Sequence, residues 1–164
     1  MRIKLFLLFL FCLVFIGMVT NSCKKDKDYI QTLFSGGQWQ LASIMRVHIL
    51  NNATFQTDTL NTECNQTQIF LFNTDNTCSY TNFDCVTQPK AIGKWSLSSN
   101  KLILMADMIC QDTLTGSSKP FSNSRIMNLG QYSLVLRTGQ YNTYYPAGDT
   151  VVYTDYSFVR VKAQ

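Results

Sequence analysis

Charge is scarce in this chain. Asp, Glu, Lys and Arg make up 15% of 164 residues, and the 14 basic residues outnumber the 10 acidic ones by four. No basic stripe runs through the sequence, which excludes the usual footprint of a nucleic-acid binder. Histidine occurs once, as His48, with no second His, Cys or carboxylate at ligand spacing, and Cys-x-x-Cys is absent. A metal site has nothing to build on, and His48 reads as a surface or packing residue near a strand end. No Gly-x-Ser-x-Gly setting occurs, and the acidic residues are scattered without a close pair. Ser, Asp and His all occur, but nucleophilic and paired-carboxylate chemistry lack their setting, so the chain reads as a non-enzyme without cofactor. Proline is limited to Pro89, Pro120 and Pro146, each in a stretch that reads as a loop. Beyond the N-terminus there is no long apolar run, low-complexity segment or long-period repeat.

The one long apolar run, residues 5–19, follows Arg2 and Lys4 and precedes Thr20-Asn21-Ser22-Cys23. Fifteen residues are too few for a membrane span, and the basic start marks a secretory signal. The segment resembles the bacterial lipoprotein signal, with Ser22 at the small position and Cys23 as the acylated residue. Thr20 departs from the usual Leu or Val. The resemblance implies cleavage after residue 22, diacylglyceryl (palmitate-type) modification of Cys23, and a lipid bilayer as partner. The plainer reading is an ordinary secretory signal with Cys23 as a free thiol. Lys24-Lys25-Asp26-Lys27-Asp28 is short, charged and free of apolar residues, as a tether would be. In enteric lipoproteins an Asp after the cysteine retains the protein at the inner membrane. Lys24 at that position implies the outer membrane, with the leaflet left open.

Three segments follow: 1–22 as signal peptide, 23–35 as lipidated N-terminus and tether, and 36–164 as one domain. Losing 22 of 164 residues leaves 142, and losing Arg2 and Lys4 leaves 12 basic against 10 acidic residues, a net charge of +2. Cys64, Cys78, Cys85 and Cys110 remain for an oxidising compartment, where disulfides persist.

Alternation and turn residues place eight strands, at 38–50, 68–72, 77–83, 91–97, 101–105, 124–129, 132–138 and 150–162. Helical periodicity is confined to about one turn near Tyr29. Tight connections, rich in Asn and Gly, fall at 73–76, 98–100 and 130–131. Long ones fall at 51–67, 84–90, 106–123 and 139–149. Strict alternation of long and tight connections puts all long loops at one end of a meander. Such a meander either folds over as a sandwich or closes into a barrel. Because closure removes both edges, the expected fold is all-β, an eight-stranded antiparallel up-and-down β-barrel with its mouth at the long-loop end.

Gly37-Gln38-Trp39 opens the first strand, where lipocalins carry Gly-x-Trp. Residues 72–77, Gly93-Lys94-Trp95-Ser96-Leu97 with 101–104, and residues 156–161 fall in the order of the remaining strands. Over residues 36–162 the chain resembles small bacterial lipocalin-like lipoproteins. The resemblance implies a calyx for a small apolar molecule and a basic residue of the closing strand packed over the first Trp. That residue is Arg160 over Trp39 in a structural lock, with Lys162 as the alternative.

A turn at 73–76 pairs Phe72 with Cys78 and Phe70 with Tyr80, and brings Cys64 beside Cys85 at the mouth. Similar lipocalin-like lipoproteins carry cysteines at those two places. The expectation is one disulfide, Cys64–Cys85, contributing about 3 kcal/mol by loop entropy. Cys110, also placed at the mouth, could compete, and Cys78 is expected as a buried thiol at the opposite end.

Two functions compete. In one, the calyx binds a small hydrophobic molecule lined by Phe70, Phe72, Tyr80 and Trp95. In the other, the interior is packed and the barrel contacts an envelope protein or glycan. Tyr141, Tyr144 and Tyr145 in the last mouth loop suit either as rim contacts, or else cover the core. Met105, Met108 and Ile109 could line the same rim or be buried by it.

Overall fold

In the computed structural model, residues 25–113, 116–140 and 148–161 are described. They fall into two compact units divided after Thr32. Helix α1 spans Lys25–Ser35, so the stretch expected as a charged tether with one helical turn is helical from Lys25. Gly36-Gly37 then end it.

The second unit is a closed barrel of eight antiparallel strands. In chain order the strands are β1 (Gln38–Leu50), β2 (Ala53–Thr59), β3 (Ile69–Phe72), β4 (Thr77–Tyr80), β5 (Ala91–Leu97) and β6 (Ile103–Ala106). They continue with β7 (Cys110–Gln111), β8 (Ser117–Ser118), β9 (Ser124–Leu129), β10 (Ser133–Gly139) and β11 (Thr150–Val161). The wall runs β1-β3-β4-β5-β6-β9-β10-β11, and β11 pairs back onto β1 to remove both edges. Trp39 is the seam, registered against Phe70 on one side and Arg160 on the other. Phe70 pairs with Tyr80 and Phe72 with Cys78, the register expected from the 73–76 turn.

The sequence reading differs from the structure in three elements. Residues 51–67, expected as a loop, contain β2, which folds back on the mouth half of β1. Asn51 and Asn52 join them with φ of 51° and 62°, both in the left-handed region that a two-residue hairpin turn requires. A bulge opposite His48 and Ile49 interrupts this pairing. The strand expected over 77–83 stops at Tyr80 and becomes a 3-10 turn at Phe83–Cys85. Asn82, Asp84 and Cys85 all carry positive φ there, which no extended strand accommodates.

The third difference concerns residues 106–123, expected to arch over the mouth. The chain leaves β6 and turns into the barrel. A Cβ built on Gly93 would lie 2.5 Å from the Met108 nitrogen and 2.7 Å from its Cα. Backbone therefore lies directly on the inner face of β5. The adjoining wall is made of small side chains, Cys78, Ala91 and Ala106, each nearly without exposure. Their missing volume is where the incoming segment fits.

Candidate functional site

The closed end is assembled from four aromatic side chains and one cation. Trp39 is fully buried, and its indole N–H donates to the Phe34 carbonyl at 2.9 Å. Phe34 in turn packs at 5.0 Å from the Phe72 ring and 5.4 Å from Trp95. The Arg160 guanidinium sits 4.4 Å from the centroid of Trp39 and also donates to the Leu33 carbonyl. Burial pulls the Arg160 pKa below its ordinary value. The expected pair of Trp39 and Arg160 is thus in contact, and its role is packing. Lys162, the alternative cation, lies outside the described residues.

Phe70, Phe72, Tyr80 and Trp95, named as a ligand lining, all point into the barrel and are at most 3% exposed. Phe70 and Tyr80 face one another and Phe121, while Phe72 and Trp95 pack against each other and Phe34. Phe121, from the segment between β8 and β9, is 0% exposed. Its ring lies 4.9 Å from Phe70, 5.0 Å from Tyr156 and 5.5 Å from Tyr80. Phe158 completes the cluster at 6.4 Å. Met108 and Cys110, from the same inward segment, are also buried, while Met105 and Ile109 stay exposed.

The sequence reading missed Phe121, which lies in a stretch it treats as loop. The available signal was a lone aromatic after Pro120, flanked on both sides by polar residues. An exposed loop has no need of such a side chain, and a core does.

At the mouth, Cys64 and Cys85 are joined in a disulfide with Cα atoms 5.7 Å apart. It staples the segment after β2 to the 3-10 turn. Gln68 links this staple to the core: its amide donates to Cys64 Sγ at 3.5 Å, and its carbonyl accepts from the Tyr80 hydroxyl at 3.2 Å. Gln68 is 3% exposed, so both ends of its amide need these partners. A cavity of about 250 Å³ opens beside the disulfide, lined by Ile44, Leu60, Asn61, Glu63, Gln68 and Asp84. Asn61 is already committed there, since its carbonyl accepts from the Ile44 nitrogen at 2.7 Å.

Cys78 and Cys110 are free, buried thiols, and burial pushes each up to about 12. Cys110 does not compete for the disulfide and stays free. It is fully buried and adds to the upward push on Cys78 and on the buried Tyr80 hydroxyl. Thiols this resistant to ionisation are poor nucleophiles and poor metal ligands. His48 lies 3.3 Å from Asp58 across the β1–β2 hairpin, with its ring 5.9 Å from Phe55. Among the described residues no group of three His, Cys, Asp or Glu side chains comes together for a metal. Cys23 and the tyrosines Tyr141, Tyr144 and Tyr145 lie outside the described residues.

These features define a closed eight-stranded β-barrel with aromatic side chains filling its interior. Residues 27–123, which are 97 of the 164, match a family described as a domain of unknown function (DUF5004), and the chain belongs to that family. The matched stretch runs from α1 to just before β9 and includes both Gly93 and Phe121. No curated protein matches the chain.

Proposed function

We propose that this is a lipid-anchored envelope protein whose filled barrel serves as an interaction module, presenting its mouth loops to a protein or glycan. The observation that carries this reading is Phe121. Its fully buried ring sits among Phe70, Tyr80, Phe158 and Tyr156, where a calyx would hold its ligand. The lipoprotein-like signal ending at Cys23 and the adjacent Lys24 support an outer-membrane anchor. The likeness to lipocalin-like lipoproteins extends to the Trp39–Arg160 pair and to the barrel, but fold and function separate here.

The test is native mass spectrometry of the processed protein purified from the cell envelope, compared with its denatured mass. The expected result is an acyl mass on Cys23 in both spectra and no mass lost on denaturation. A reproducible adduct that leaves on denaturation would overturn the filled-module reading and restore small-molecule binding. Such a ligand would use the mouth cavity beside the disulfide, because that space is open and its walls carry Asn61, Gln68 and Asp84.

A further inference from the structure

We propose that the closed end of the barrel rests on the bilayer, with Leu102 and Tyr132 at the headgroup level and the mouth directed away. The inference rests on the reading of Cys23 as the lipid-bearing residue. Leu102 and Tyr132 are 52% and 67% exposed. Each stands two residues before a core residue that is fully buried, Leu104 and Leu134 respectively. Each stands one residue before its strand, β6 or β10, and their carbonyls accept from the Ile126 and Arg160 backbone nitrogens at 2.8 and 3.0 Å, which places both at the closed end past the last core layer. They therefore lie exposed at the base of the barrel. Exposed Tyr and Leu at one end are the residue types that settle at a membrane interface.

The charge of that end agrees with an anionic surface. Lys101 precedes Leu102, and the Arg160 guanidinium lies over Trp39 at the same end. The acid of the neighbouring 73–76 turn is Asp75, whose carboxylate accepts from the Thr77 nitrogen and hydroxyl at 2.9 and 2.6 Å.

Chain length selects the same end. The barrel is entered at Gly37, beside Trp39, and Cys23 stands 14 positions earlier. Eleven of the intervening residues belong to α1. At about 1.5 Å per helical residue and about 3.4 Å for the rest, the chain from the base can reach the acylated residue over no more than about 27 Å. The 13 residues of β1 carry the chain from the base to Leu50 at the mouth. That path is about 40 Å at strand rise, longer than the tether.

The test uses the full, lipidated chain in vesicles of phosphatidylethanolamine and phosphatidylglycerol with a nitroxide on a fraction of the headgroups. The chain has two tryptophans, Trp39 and Trp95, both near the base, and they serve as the probes. Their emission should be quenched in vesicles that float with the protein. The double variant Leu102→Ser, Tyr132→Ser should float equally and lose that quenching. A tryptophan added by Phe55→Trp on β2, an exposed position on the mouth side, should escape it. Unquenched Trp39 and Trp95 in floating protein would overturn the proposal, as would quenching of the Phe55→Trp probe or quenching retained by the double variant. Protein that does not float would remove the anchor and the docking together, whereas the other outcomes leave the anchor standing.

Discussion

The Met108 nitrogen stands 2.5 Å from where a β-carbon of Gly93 would be, and that contact decides what the barrel holds. Gly93 faces the interior between Cys78 and Met108, and only a residue without a side chain lets backbone lie on β5 there. The Lys94 nitrogen donates to Asp107 Oδ1 at 2.5 Å, and the Asp107 nitrogen donates to the Lys94 carbonyl at 3.0 Å. This pair of bonds fixes the point at which the chain turns inward. Gly93→Ala should destabilise the protein by roughly 3 kcal/mol, near the upper end for an overpacked core. Urea denaturation measures it, and an unchanged midpoint would mean that the inward segment shifts at no cost.

Phe121 carries the largest side chain that the inward segment delivers. Phe121→Ala should cost about 3–5 kcal/mol, from lost burial plus the hole left behind. It should also create an apolar chamber bounded by Phe70, Tyr80 and Phe158. A small apolar fluorophore should then bind the variant and not the natural protein. Equal binding to both would place the dye site elsewhere.

Replacing Cys64 and Cys85 together by Ala should cost about 3 kcal/mol, since the bond closes a loop of 21 residues. Gln68 should feel the change as well, because one of its two partners is Cys64 Sγ. The double variant's thermal midpoint, set beside that of the natural protein, measures the loss. A midpoint within error would show that the loop is already closed by other contacts.

Arg160→Ala should cost about 1–2 kcal/mol by removing the cation above Trp39. Arg160→Lys should recover only part of it, because an ammonium does not stack as a guanidinium does. Equal stability of the Lys and natural proteins would reduce the contact to simple charge.

Alkaline pH should unfold the protein through its buried acids. Cys78 and Cys110 are pushed up to about 12 from 9.0, and Tyr156 to about 12 from 10.0, in each case chiefly by burial. The folded state holds these groups neutral while the unfolded chain releases their protons, so stability is full below about pH 9 and falls between 9 and 12. Thiolate absorbance should stay absent from the folded protein at pH 10 and appear with unfolding. Early appearance would place the thiols in contact with solvent.

Strand positions were legible because alternation is a local pattern, readable from a few neighbours at a time. The 73–76 turn set the pairing of Phe70 with Tyr80, and Cys64–Cys85 followed from the same count. The meander follows from the order of tight and long connections, and the pairing of β11 with β1 decides for a barrel over a sandwich. The β2 strand was overlooked because Thr- and Gln-rich residues 53–59 show no apolar face. The Asn51-Asn52 dipeptide was nevertheless a turn signal in plain view. For α1 the reading stopped at about one turn near Tyr29, because the Lys and Asp residues before it offered no apolar stripe.

What fills the barrel was decided only by tertiary structure. Nothing local to Pro120-Phe121 says that the ring points inward, and nothing local to Met108 says that it crosses Gly93. Those choices depend on Cys78, Ala91, Gly93 and Ala106 forming one small-residue wall, though they come from three separate strands. The sequence alone determined the meander, its two ends and the Cys64–Cys85 pairing through spacing, while the Trp39–Arg160 pair was what the lipocalin resemblance implied. Whether the interior is chamber or core depends on volumes contributed by residues far apart in the chain, which meet only when the barrel closes.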